Sequence, residues 1–158
     1  MSSHLCTFIL IDHILISMAS AKQNPEISSA RDLLGQKESK TKYHSIQKHP
    51  NAESYSVCPS SDGEKIHKIE PGVELVISVF RDGIIISQPD NEVTSALEEL
   101  SLASGERIAG LNGKNNSTKV NLTKLGASVH DFSPADQVAV DVCENGILVT
   151  PIDMEAMS

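Results

Sequence analysis

No Asp or Glu occurs between Arg107 and His130, while Arg107, Lys114, Lys119 and Lys124 all lie in that stretch. A second acid-free run, residues 39–52, holds Lys40, Lys42, His44, Lys48 and His49. Lys and Arg without neighbouring carboxylates suit phosphate. Each contact releases counterions, supplies affinity whatever the base sequence, and makes that affinity fall steeply with salt. Asn115, Asn116 and Asn121 are interspersed, and an Asn amide can read a base edge or bond a phosphate oxygen. The candidate DNA contacts are therefore Arg107, Lys114, Asn116, Lys119, Asn121 and Lys124, with Lys42 and Lys48 from the earlier run. A solvated linker and a polar tail would carry the same charges, so charge alone does not decide between contact and solubility.

Catalytic patterns are missing. The histidines, His4, His13, His44, His49, His67 and His130, show no His-x-x-x-His or His-Glu-x-x-His spacing, so no metal site is signalled. There is no Gly-x-Ser-x-Gly elbow, and Gly110, Gly113 and Lys114 do not make a phosphate loop. Asp131 and Asp136 flank a turn, where Asp usually bonds its own backbone. Nothing here indicates an enzyme or a cofactor.

The 158 residues are 39% hydrophobic, 22% charged and only 3% aromatic, without Trp. Val, Ile and Leu must build the core. A net charge of -8 argues against coating nucleic acid by bulk charge, though it leaves room for a local basic patch. Cys6, Cys58 and Cys143 form no Cys-x-x-Cys pair, which suits a reduced, cytoplasmic setting. Residues 5–18 are apolar but too short to span a membrane, and Asp12 and His13 interrupt them. No Lys or Arg precedes them, as a secretory signal would require, and Met18 offers an alternative start that would make residues 1–17 an extension. Asn115, Asn116 and Asn121 match the glycosylation pattern within a stretch rich in Asn, Ser and Thr, where chance matches are expected.

The elements that must position these residues come twice. Ile69-Glu70-Pro71-Gly72 is a turn signal. Residues 74–80 read as a strand, Asp82-Gly83 as a type I′ turn with φ > 0, and residues 84–87 as the return strand. The same unit recurs later in the chain without gaps and at one constant offset: Pro134 under Pro71, Val142 under Val79, Gly146 under Gly83, Asp153 under Asp90. Asn145-Gly146 repeats the turn, and Cys143 stands under Phe80 as a small buried filler. Between the copies, Val93, Ala96, Leu97, Leu100 and Ala103 mark one face of a helix, with Asp90 or Asn91 as cap and Gly105 as stop. A lone two-stranded hairpin is marginal in water. Two hairpins can bury their apolar faces together, and closure into a barrel would remove exposed edges.

The run 119–126, then Phe132-Ser133-Pro134-Ala135-Asp136-Gln137-Val138, then residues 140–149 through Asn145-Gly146, resembles the AbrB-type swapped-hairpin DNA-binding family, which includes MazE-like antitoxins and sporulation regulators. Residues 114–153 carry the fuller match. Residues 55–90 match through Val57-Cys58-Pro59 and Glu70-Pro71-Gly72. The resemblance implies a mainly β protein: a swapped-hairpin barrel of two tandem repeats joined by one helix. The expected organisation is a flexible arm at 1–52 with a helical turn near 29–34, a first repeat at 53–90, a helical linker at 91–113 and a second repeat at 114–153. It implies a homodimer binding double-stranded DNA as a transcription regulator through the basic residues before each repeat. The rival is an interaction module, antitoxin-like and bound to a toxin-like protein, that keeps the barrel without DNA contact. The net charge favours it, as do Ser117-Thr118 in place of the family's Gly-Arg pair and Thr123 in place of its Pro. A double-psi adaptor domain shares the paired-repeat logic.

Overall fold

The computed structural model describes residues 26–27, 30–48, 55–111, 118–123, 126, 129–130, 132–133 and 136–152. Within them the chain is mainly β. Helix α1 (Arg31–Leu34) precedes strands β1 (Lys42–Ser45), β2 (Gln47–Lys48) and β3 (Tyr55–Val57). Helix α2 (Ser61–Ile66) leads to the hairpin β4 (Glu74–Phe80) and β5 (Gly83–Ser87). Helix α3 (Thr94–Leu100) then precedes β6 (Ala103–Ile108), β7 (Gly110–Leu111) and β8 (Thr118–Asn121), and the chain ends in the hairpin β9 (Gln137–Cys143) and β10 (Gly146–Pro151). The six-stranded sheet has the order β1-β9-β10-β5-β4-β6, and the four-stranded sheet the order β2-β3-β8-β7.

The offset that sets Pro134 under Pro71 governs the strand pairing itself. Lys42 pairs with Val140 and Gly105 with Ile77; Gln47 pairs with Ser56 and Gly110 with Lys119; Phe80 pairs with Gly83 and Cys143 with Gly146. Each second pair consists of the repeat equivalents of the first. Where the halves meet, equivalent residues pair directly, Val57 with Val120 and Ile85 with Leu148. A local two-fold axis therefore passes through both sheets of one chain.

The repeat is longer than the hairpin pattern marked. Residues 31–48, within the span read as a flexible arm, form α1, β1 and β2, the counterparts of α3, β6 and β7 in the span read as a helical linker. The polar sequences Lys42-Tyr43-His44-Ser45 and Ala103-Ser104-Gly105-Glu106 hide the strands. β1 and β6 are edge strands, held by backbone pairing on one side and largely open on the other, so they need no apolar alternation. Helix α3 stops at Leu100, and Ala103 and Gly105 belong to β6.

The expected single closed barrel is not what the strands form. The chain passes from one sheet to the other at Ile46, between β1 and β2, and at Ala109, between β6 and β7, and the residues that follow, Gln47 and Gly110, pair in the four-stranded sheet. The N–H groups of Ile46 and Ala109 still bond in the register of the six-stranded sheet, to Asp136 O (2.6 Å) and Val73 O (2.9 Å). Within this chain β5 pairs with β10, and β3 with β8, so the two repeats meet each other.

The hairpin loops also differ from expectation. Phe80 pairs with Gly83, so the two-residue loop is Arg81-Asp82, and neither hairpin loop has a residue in the left-handed region. Gly83 and Gly146 serve close approach instead: a Cβ there would lie 3.0 Å from Val149 O and Ile86 O respectively. Gly72 does take the left-handed region, at φ 99°, in the turn closed by Val73 N–H to Glu70 O.

Between the sheets lies a core containing Val57, Leu75, Ile77, Val120, Leu122, Val140 and Val142. The outer face of the six-stranded sheet is covered by α1, α3 and the segment before α1, through Ile27, Leu34, Leu97 and Leu100 on Phe80, Ile85 and Leu148. Burial at about 25 cal/mol per Å² of apolar surface makes these two layers the main source of stability. Among the described residues no helix is long and apolar enough to cross a membrane.

Candidate nucleic-acid interface

The four-stranded sheet positions the candidate contacts by strand alternation. In β8, Thr118 and Val120 are buried, and Lys119 and Asn121 take the other face. Ser56 on β3 pairs with Asn121 and shares that face, with Gln47 beyond it on β2. Lys119 stands across from Gly110, whose missing side chain leaves room for the lysine stem: a Cβ on Gly110 would lie 3.3 Å from Lys119 Cε. Lys48 on β2 is exposed, opposite Tyr55. The described residues of these four strands include Lys48 and Lys119 and no Asp or Glu. A carboxylate does reach these strands from α2: Glu64 Oε1 accepts from Thr118 N–H at 3.2 Å.

Asn121 has a structural duty as well. Its Oδ1 accepts from Thr123 N–H at 2.8 Å, closing a local turn, so its outward offering is the NH₂ group. Thr123 sits at φ 68°, and its Oγ1 accepts from Gly126 N–H at 3.1 Å. A proline, fixed near φ −65°, could not take that conformation, which accounts for Thr at this position. Ser60, its equivalent in the first copy, does the same: φ 72°, with its Oγ accepting from Gly63 N–H at 3.1 Å. Both units therefore start their helical turn with a hydroxyl cap on a left-handed residue.

Arg107 lies on β6, at the border of the four-stranded sheet, and its Nη1 donates to Glu106 O at 2.6 Å. It is near the Thr123 turn: a Cβ on Gly105 would lie 3.4 Å from Arg107 Nη1 and 3.8 Å from Thr123 Cγ2. Lys42 is exposed on β1, in the six-stranded sheet, apart from the others. The fold thus brings Lys119 and Asn121 onto the outer face of one sheet with Arg107 at its edge, while Lys48, paired with Tyr55, belongs by the same alternation to the other face of that sheet. Lys114, Asn116 and Lys124 lie outside the described residues.

Two histidines complete the duplicated architecture. His67 Nε2 bonds Cys143 O at 2.7 Å, and His130 Nε2 bonds Phe80 O at 2.9 Å. Each lies at or just beyond the helical turn of one unit and holds the hairpin of the other, since Phe80 and Cys143 are themselves equivalents. The signal was in the sequence, because His67-Lys68-Ile69-Glu70-Pro71 and His130-Asp131-Phe132-Ser133-Pro134 align at the same offset. Burial lowers the His130 pKa, against the opposing pull of the Gly83 and Phe80 carbonyls and Asp82. Burial, then the Lys42 charge, lowers that of His44, whose Nε2 is buried without a hydrogen-bond partner. Burial, then the Asp141 charge, raises the Cys143 thiol, which makes it a poor nucleophile.

Among the described residues no three His, Cys, Asp or Glu side chains cluster in a way that could hold a metal ion. Compared with family models, curated proteins and solved structures, the chain has no match.

Proposed function

We propose that this protein binds double-stranded DNA as an AbrB-like, cytoplasmic transcription regulator, using the four-stranded sheet as its contact surface. The observation that carries the proposal is charge segregation. In a chain of net charge -8, the described residues of these four strands bear Lys48 and Lys119 and no carboxylate. Carboxylates gather elsewhere, as at Glu98 and Glu99 on α3 in the opposite, helical layer. A sheet without carboxylates, with Lys119 and Asn121 on its outer face, draws phosphate to that side of an acidic protein and away from the helical layer. The twice-used order of strand, helical turn and hairpin is the order the family resemblance implies. Binding of a fluorescent random duplex at low and moderate salt tests the proposal. Affinity should fall steeply with salt, and Lys119→Ala should flatten the log K against log salt slope by about one. An unchanged slope in that variant would remove the sheet from the interface.

A protein partner is the second reading, favoured by exposed apolar residues on the edge strands: Tyr43 on β1 is 59% exposed and Ile108 on β6 is 64% exposed. An edge strand with an apolar side chain can accept a strand from another protein, such as a toxin-like partner. Pull-down from the native host with wild type, against Tyr43→Lys with Ile108→Lys, distinguishes the readings.

A further inference from the structure

The two-fold symmetry of the backbone is not matched by the charges. Lys119 has Ser56 as its equivalent, Asn121 has Cys58, Lys48 has Leu111, and Lys42 has Gly105. Arg107 has His44, a residue held toward its neutral form by burial and by Lys42. No Lys or Arg on these strands has a Lys or Arg at the equivalent position of the other copy. The axis passes through the Val57–Val120 pair, at the centre of the four-stranded sheet. Beside it, on the second copy's strand β8, stand an ammonium and an amide donor. On the first copy's strand β3 stand a hydroxyl and, just past the strand's end, a thiol. Both halves of the sheet come from one chain, so one chain presents the whole surface.

Resting on the DNA reading above, we infer that one chain occupies one duplex site, and that the contact is asymmetric. The β8 half, through Lys119 and Asn121, holds phosphate, and the β3 half lies against the duplex without a charge contact. The shared axis explains how the two halves can span a duplex whose own backbones are related by two-folds. The lost charge symmetry means the chain sits in one orientation rather than two equivalent ones.

The test uses the full chain with a short random duplex at low salt. Sedimentation velocity should give one chain per duplex at the first saturating step. Lys119→Ser should weaken binding several-fold and flatten the salt slope by about one, whereas Ser56→Ala should change neither. Ser56→Lys, which restores the symmetry, should tighten binding and steepen the slope by about one. Because Ser56 is buried, Lys119→Ser carries the test if Ser56→Lys does not fold. No binding of the wild type would overturn the DNA reading itself. Binding that needs two chains per duplex, or that Lys119→Ser leaves unchanged, would overturn the asymmetric single-chain contact and leave the DNA reading standing.

Discussion

The two halves of this chain share a backbone and differ in their side chains. The hairpin β4–β5 is buried on both faces, with Leu75, Ile77 and Ile84 turned to one core and Phe80 and Ile85 to the other. The hairpin β9–β10 is buried on its inner face, while Ala139 and Asp141 stay partly open on the outer one. The coverings differ accordingly: α3 has seven residues over the first hairpin, and its equivalent α1 has four. At matching positions, Ser78 is fully buried with no hydrogen-bond partner, and Asp141 accepts from Thr41 and forms an ion pair with Lys37 at 3.1 Å. Strand register and the caps tolerate no divergence, since both halves use them to fit each other. The outer faces diverged because each meets different surroundings.

The largest expected difference between the halves is at Phe80 and Cys143. Phe80→Ala removes a fully buried ring from the helix-covered layer and should cost about 3–5 kcal/mol. Cys143→Ala removes one sulfur atom and should cost far less. Urea unfolding of both variants checks this, and equal losses would mean the two outer faces are packed alike.

The caps should behave as a matched pair. Ser60→Ala and Thr123→Ala each remove the hydroxyl that accepts an amide, and each should cost about 1 kcal/mol. A large loss from one and none from the other would break the equivalence of the halves.

Ser78 and Asp141 should respond with opposite signs. Ser78→Ala deletes a buried hydroxyl without a partner and should stabilise by about 1 kcal/mol. Asp141→Ala breaks a partly exposed ion pair and should destabilise by about 0.5 kcal/mol.

The smallest effect concerns acid. The folded pKa of His130 is lowered by burial, so below the ordinary histidine value of 6.5 the unfolded chain takes the proton more readily. Stability contributed by neutral His130 is present above that value and is lost as pH falls through it. His130→Gln should reduce the loss of stability between pH 7 and pH 5, as read by thermal unfolding at each pH.

Much of the core was legible in the sequence, and the reasons are physical. β4, β5, β9 and β10 are rich in Val, Ile and Leu, because they bury apolar faces. Pro71-Gly72 fixed one turn through a left-handed glycine. The edge strands β1 and β6 were not legible, because backbone pairing with β9 and β4 holds residues such as Lys42, Ser104 and Glu106 in place without apolar side chains. The loop Arg81-Asp82 was set one residue late, since Asp-Gly suits a type I′ turn but Gly83 is needed for close approach to Val149 O. At the candidate interface, Lys48, Lys119 and Asn121 were legible as polar residues in acid-free runs. Their shared sheet was not, because it depends on β3 pairing with β8, strands that lie far apart in the sequence.

The central claim is that the four-stranded sheet takes up the phosphates of duplex DNA. Sedimentation of the full chain with and without random duplex at two salt concentrations tests it most directly. The account predicts a complex at low salt that dissociates at moderate salt, with a shallower dependence once Lys119 is alanine. Sedimentation unchanged by DNA at low salt, or a complex indifferent to Lys119, would contradict it.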